Sequence, residues 1–290
     1  MKPPPFAYHD PTTVEDAADL IGRLDNAMPL AGGQSLMPML NFRVVAPDHL
    51  IDLNRVAGLS YIEIEDGVGR FGAMTRQRDI EFSADVAKAF PVLHEALEHV
   101  GHRQTRNRGT IGGSLAYADP AAELPACCVA LDATIVARSA KGERRIPAAP
   151  FFTGLYTTAL TEHELIAAIE FPVARAGERS VILELTRRSG DYAMAGVVAR
   201  AKLAGSTLVE PSLVFFGVGD RPITAERATS AIAGKMATPE TIARAQAALD
   251  ADLDPPADQH GSPDMKRHLA RVLLARALGR LSGSQEVRAA

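Results

Sequence analysis

The sequence is poor in the residues that build metal and nucleophile centres. Its 290 residues include only two cysteines, the adjacent pair Cys127–Cys128. Neighbouring cysteines rarely bond to each other, and these lie in the apolar run Leu124–Leu131, so two buried, reduced small hydrophobes are expected. No CxxC occurs, which leaves this chain without cysteine ligands for an iron–sulfur cluster or a four-cysteine zinc site. HExxH is missing, and the eight histidines are scattered; His94 and His99 fall at a spacing unsuited to one helix face. GxSxG is missing too, so no nucleophile elbow is expected. Neither GxGxxG nor GxxxxGK[ST] is present, which excludes the usual Rossmann and P-loop phosphate cradles. There is no tryptophan, no apolar run long enough to cross a bilayer, and no apolar core of a secretory signal in Met1–Phe6. The formal net charge of −4 gives no bulk attraction to nucleic acid. A cytoplasmic protein is the expectation, since a reducing compartment suits its cysteine usage.

What is present is ordinary in bulk and particular in two places. Hydrophobic residues make up 47% and charged residues 23%, enough to bury one large or two modest cores. Two glycine pairs recur in similar company. One lies in Leu30-Ala31-Gly32-Gly33-Gln34-Ser35-Leu36-Met37, the other in Thr110-Ile111-Gly112-Gly113-Ser114. Each sets two residues without a Cβ near a serine hydroxyl, as a backbone needs when it must approach phosphate oxygens closely. Two such loops suggest convergence on one diphosphate.

Periodicity supplies the frame. Thr13 with Asp16 three residues on predicts a capped helix, followed at helical spacing by Ala17, Leu20, Ile21 and Leu24. Met28–Ala31 and Leu50–Leu53 predict strands. Tyr61–Glu65 and Val68–Met74 predict a hairpin around Asp66-Gly67. A helical region from about Ile80 to Val100, broken at Pro91, precedes a strand at Ala133–Ala137 with a turn at Lys141-Gly142-Glu143. Pro172–Gly177 reads as a linker. Strands at Val181–Arg187, Ala193–Leu203 and Leu213–Val218 follow, then helices at Thr238–Ala251 and Ser262–Leu281, the last with Leu269, Val272, Leu273 and Ala277 on one face. The expected organisation is α+β: residues 1–175 in two lobes, about 1–55 and 56–175, and a smaller α+β domain over 176–290.

The flanks of the second glycine pair carry charge. Arg103, Arg106 and Arg108 stand before it and are expected as a basic loop compensating phosphate charge; Asp119 and Glu123 stand after it. Either carboxylate could accept from a sugar hydroxyl or simply complement a helix N-terminus. Downstream, Arg187-Arg188-Ser189-Gly190-Asp191-Tyr192 places an aromatic beside a Gly-Asp turn, where it can face a cleft.

These segments, in this order and spacing, resemble the FAD-binding medium subunit of molybdenum hydroxylases, the carbon monoxide dehydrogenase medium-chain type, and the flavin portion of xanthine dehydrogenase. The resemblance covers essentially the whole sequence. It implies a two-lobed FAD domain of the PCMH (vanillyl-alcohol-oxidase) type followed by a small C-terminal domain. It implies that Leu30–Met37 and Thr110–Ser114 bind the FAD diphosphate through backbone amides. Glu123 stands where relatives usually have an aspartate near the adenosine end. Val100 and Ile166 fall at apolar flavin-contact positions, and Tyr192 beside the isoalloxazine ring. Glu184 lies where some relatives carry a lysine. The resemblance further implies an electron-transfer subunit of a heterotrimer, itself paired into a dimer of heterotrimers. A small partner holds two [2Fe–2S] clusters and a large partner holds molybdopterin. The alternatives are a self-sufficient flavin oxidase of the same superfamily, for which the tail after residue 175 is short, and a nucleotide-binding scaffold without flavin.

Overall fold

The computed structural model describes residues 2–283; Met1 and the last seven residues of the expected C-terminal domain lie outside the described part. The first lobe is a small parallel sheet of β1 (Ala7–His9), β2 (Ala27–Leu30) and β3 (His49–Asp52), in the order β1-β3-β2. Parallel neighbours need crossovers, and α1 (Val14–Arg23) and α2 (Leu36–Asn41) supply them. The Thr13 hydroxyl accepts from the Asp16 amide at 3.1 Å, the cap that the sequence predicts. Ala17, Ala18 and Ile21 are the buried face of α1, while Leu20 and Leu24 lie at its margin.

The second lobe is an antiparallel sheet in the order β4-β5-β10-β6-β7. Its strands are β4 (Ile62–Glu65), β5 (Val68–Gly72), β6 (Thr134–Ser139), β7 (Gly142–Pro147) and β10 (Leu165–Pro172); β8 (Phe152–Gly154) and β9 (Thr157–Thr158) form a separate ribbon. Asp66 and Gly67 both have positive φ, 51° and 77°, as the predicted tight turn requires. The predicted 80–100 helical region is three helices: α3 (Gln77–Glu81), α4 (Ala84–Ala89) and α5 (Pro91–His99). Proline at the first position of α5 makes the expected break. The other break lies at Phe82–Ser83, where the Ser83 hydroxyl caps the Val86 amide at 3.3 Å. After α6 (Arg103–Arg108) and α7 (Ile111–Tyr117) comes α8 (Glu123–Ala130), whose residues are all buried. Cys127 and Cys128 lie there as free thiols, with burial pushing both upward in pKa. The short α9 (Ala148–Phe151) follows β7.

A third sheet holds β11 (Glu178–Leu185), β12 (Ala195–Ala204), β13 (Thr207–Phe216) and β14 (Ile223–Thr224), with β15 (Lys235–Met236) also paired to β13. Gly205, at φ 61°, closes the β12–β13 hairpin, so β13 starts earlier than its apolar end at 213 suggests. Side chains alternate across this sheet. Val197, Ala199, Ala201, Leu213 and Phe215 join a core with α10 (Glu226–Ile232), α11 (Pro239–Leu249) and α12 (Pro263–Ser282). Ile182, Val198, Val214 and Phe216 face the other way and join the core of the second lobe with α5 and α8. The buried seam of α12 runs through Ala270, Leu273, Leu274, Ala277, Leu278 and Leu281; Leu269 and Val272 are only half-buried, one position off the predicted face.

Candidate functional site

The first glycine segment leaves β2 at Leu30 and enters α2 at Leu36. Gly33 has φ 73°, a conformation that side chains with a Cβ resist. Gly32 is required by space instead: a Cβ there would stand 2.2 Å from the Arg108 carbonyl oxygen and 2.9 Å from Gly109 Cα. The Met37 amide donates to the Gly33 carbonyl at 3.2 Å, and the Gln34 amide group donates to the Gly32 carbonyl at 3.3 Å. Ser35 is the N-cap of α2, yet its hydroxyl makes no capping bond. Ala31 lies half-buried beside it.

The second segment differs from the expected loop. Ile111, Gly112, Gly113 and Ser114 form the first turn of α7, and the Thr110 hydroxyl caps it by accepting from the Gly113 amide at 3.0 Å. A threonine three residues ahead of Gly113 is the sequence signal for that cap. Glycine is retained in a helix because of crowding: a Cβ on Gly112 would lie 2.7 Å from the Ala73 carbonyl oxygen. A Cβ on Gly113 would meet the Thr110 hydroxyl at 2.8 Å and the Ala31 Cβ at 3.4 Å. The two glycine segments therefore meet: Gly32 on Arg108–Gly109, and Gly113 on Ala31.

The arginine run is the helix α6, and its members have different tasks. Arg106 forks onto Glu81 at 2.8 and 2.9 Å and also donates to the Val100 carbonyl at 3.0 Å. Both partners are nearly buried, and this contact holds the Glu81 carboxyl below its usual pKa. The Arg106 charge is thus committed to a structural pair; Arg103 and Arg108 remain exposed. Arg106→Ala is expected to destabilise the fold by about 1.5–3 kcal/mol, because part-buried Glu81 would lose its charge-assisted hydrogen bonds and keep only the more distant Arg103 and His94 as positive neighbours. Chemical denaturation of the variant and of the Glu81→Gln/Arg106→Ala double variant checks this, the double being the milder.

Beyond α7 lies an acidic and aromatic end. Ala118, at φ 52°, terminates the helix and turns the backbone toward Asp119. Asp119 is 7% exposed, accepts from the Ala121 amide at 2.9 Å, and is raised in pKa by burial. The Tyr117 and Tyr156 rings pack at 5.0 Å. Tyr192 is exposed and close enough to Asp119 to feel its charge. Tyr156 escaped the sequence reading; it stands at φ 52° on the β8–β9 turn, where Gly154 is the only local hint. Glu123 opens α8, is 7% exposed, and is pushed up to about 8, first by burial and then by the negative charge of Glu184. Glu184 reaches in from β11; one of its oxygens lies 3.4 Å from His99 Nδ1, and the other is buried with no hydrogen-bond partner among the described residues. Val100 is half-buried against the core that includes Ile166, which sits on β10 beside a bulge.

Comparison with known proteins places this geometry in a lineage. Residues 4–174 match the family described as FAD binding domain in molybdopterin dehydrogenase, and residues 182–281 match the CO dehydrogenase flavoprotein C-terminal domain. The glyceraldehyde dehydrogenase medium chain of Sulfolobus acidocaldarius is 38% identical over 96% of this chain and 98% of its own length. Among solved structures, carbon monoxide dehydrogenase from Hydrogenophaga pseudoflava, in a form lacking the Mo-pyranopterin moiety of its cofactor, superposes with a TM-score of 0.95. That match has 37% identity and covers 98% of this chain and 99% of the other. Quinoline 2-oxidoreductase from Pseudomonas putida 86 gives 0.93 and 34%, covering 99% and 100%.

Proposed function

The chain belongs to the FAD-binding medium subunits of molybdopterin dehydrogenases, and from that premise we propose that it carries electrons from [2Fe–2S] clusters in a small partner subunit to an external acceptor. A large partner would hold molybdopterin and oxidise the organic substrate, and the assembly would be a cytoplasmic dimer of such heterotrimers. The observation that carries the reading is the meeting of the two glycine segments. Lacking a Cβ, Gly32 and Gly113 let the two segments pack closely at one place; a side chain at either would strike Arg108 and Gly109 or Thr110 and Ala31 and push the segments apart. The residues fit the cofactor.

The backbone of Leu30–Met37 and of Thr110–Ser114 would hold the FAD diphosphate, with Gly33 turning the first segment and Thr110 fixing the second. Asp119 and Glu123 would accept from hydroxyls toward the sugar. Val100 and Ile166 would supply apolar contact and Tyr192 an aromatic face beside the ring. When bound, the flavin supplies one- and two-electron redox chemistry, and the protein supplies binding, orientation and potential. We place the boundary between the FAD-binding lobes and the C-terminal domain near residue 175. The tail matches the C-terminal domain of a CO dehydrogenase flavoprotein, which argues against a substrate cap and so against a self-sufficient oxidase. Relatives of similar identity carry the names of an aldehyde, of carbon monoxide and of a heteroaromatic ring, so the substrate is decided in the large partner.

Purification through a tag on this subunit, with whatever assembles on it, tests the reading. The expected preparation shows a flavin spectrum, releases FAD on denaturation, and contains iron and molybdenum in two further subunits. A flavin-free preparation that also refuses FAD, with no iron- or molybdenum-bearing partner, overturns it.

A further inference from the structure

Two residues outside the glycine segments hold them together. In the parallel pairing of β2 with β3, Leu30 stands opposite Asp52, which brings the start of the first segment beside the turn after β3. Asn54 lies in that turn. Its side-chain amide nitrogen donates to the Ala31 carbonyl at 3.0 Å, and its oxygen accepts from Arg76 at 2.5 Å. A second nitrogen of the same Arg76 guanidinium donates to the Arg108 carbonyl, the oxygen that a Gly32 Cβ would strike. Asp52 orients Asn54, accepting from its backbone amide at 2.9 Å and its side-chain nitrogen at 2.5 Å, and is itself held by the Tyr8 hydroxyl at 2.6 Å. The backbone adds register: Arg76 bridges Thr110, and the Gln77 amide donates to the Gly109 carbonyl at 2.9 Å.

We propose that Asn54 and Arg76 form a clasp that sets the gap between the two glycine segments and so selects a diphosphate. This rests on the FAD reading above. Arg76 is a positioning residue through its fork: one planar group reaches a carbonyl of the second segment and the residue that holds the first. An ammonium group offers no such rigid fork. The clasp also concentrates positive charge. Among the described residues neither Arg76 nor Arg108 forms a close ion pair with a carboxylate; each lies within the other's field, which Asp79 and Asp52 offset in part at Arg76. An anion seated between the segments would relieve that repulsion.

The test compares ligands that contain the diphosphate with one that lacks it. The tagged subunit and its assembled partners are depleted of flavin, then titrated with FAD, ADP and FMN. Asn54→Ala and Arg76→Lys are each expected to weaken FAD and ADP by the same factor, about 10- to 100-fold, and to leave FMN binding and the melting temperature nearly unchanged. A merely structural role would lower the melting temperature and affect all three ligands alike. If Arg76→Lys binds ADP as tightly as the unaltered protein, charge alone suffices and the clasp is wrong. If Asn54→Ala keeps its ADP affinity, the clasp is wrong as well. If the unaltered protein binds neither FAD nor ADP, the FAD reading itself falls.

Discussion

A Gly32→Ala variant is expected to be purified with less flavin per protein than the unaltered subunit. The substitution adds one methyl group, and its nearest neighbours would be the Arg108 carbonyl oxygen at 2.2 Å, the Arg108 carbonyl carbon at 2.9 Å and Gly109 Cα at 2.9 Å. All three are backbone atoms, so no side-chain rotation makes room. Either the first segment or the α6–α7 connection must retreat by about 1 Å to restore ordinary contact. Overpacking of this kind costs about 1–3 kcal/mol. If that cost falls on the bound geometry, FAD is held roughly 5- to 150-fold more weakly. The flavin-to-protein ratio after gel filtration, followed by titration with FAD, measures it.

Two other glycines separate space from conformation. Gly58 has φ 79° but nothing within 4 Å of an added Cβ. Gly58→Ala should therefore cost about 1 kcal/mol of stability and leave flavin content intact. Gly113→Ala meets a hydroxyl that can rotate, at the expense of the α7 cap, and should be milder than Gly32→Ala. Gly113→Val pushes a branched side chain toward Ala31 as well and should lose FAD. Normal flavin content in Gly32→Ala would mean that the contact between the two segments is not what holds the cofactor.

The same contrast explains what could be read from the sequence. The Thr13 cap, the Asp66-Gly67 hairpin and the buried run through the two cysteines are local signals, and each stands where its residues predict; the first glycine pair lies in a turn as expected, and the second does not. Family membership was legible for the same reason, since three short segments keep their order and company. The helical nature of Gly112–Gly113 was obscured because glycine disfavours helices, and only the approach of Ala73 explains its use there. The role of Arg106 depends on Glu81, which lies 25 residues away in sequence and adjacent in space. Asn54, Arg76 and Tyr156 carry no local motif at all. Their roles arise from strand register and from a β-ribbon turn, which pattern reading does not reach.

Glu123 gives the protein an expected alkaline weakness. Its carboxyl is pushed from 4.5 up to about 8, by burial first and by Glu184 second, with Asp119 adding negative charge and His99 relieving some of it. His99 faces Glu184, Glu123 and Glu95 and is raised in turn, chiefly by its contact with Glu184; Glu95 is itself paired with Arg280 at 2.9 Å. The sign follows from proton counting. Below pH 4.5 Glu123 is protonated in both the folded and the unfolded protein, and its contribution to stability is intact. Between 4.5 and about 8 the folded protein keeps the proton that the unfolded one releases, so stability falls as pH rises. Across that window the loss is on the order of 5 kcal/mol as an upper bound. His99 acts in the same direction, losing its contribution as pH climbs from 6.5 through its raised folded value. Glu123→Gln removes the first of these losses. Its melting temperature should fall progressively less than that of the unaltered protein from about pH 4.5 to 8, and the relative gain of several degrees should then hold constant at higher pH, at roughly 2–4 °C per kcal/mol. Both proteins are compared after depletion of flavin, so that changes in FAD binding do not enter the curves. Parallel curves across the whole range would show that Glu123 does not hold the proton, and that the buried carboxylates between α8 and β11 share their charge in another way.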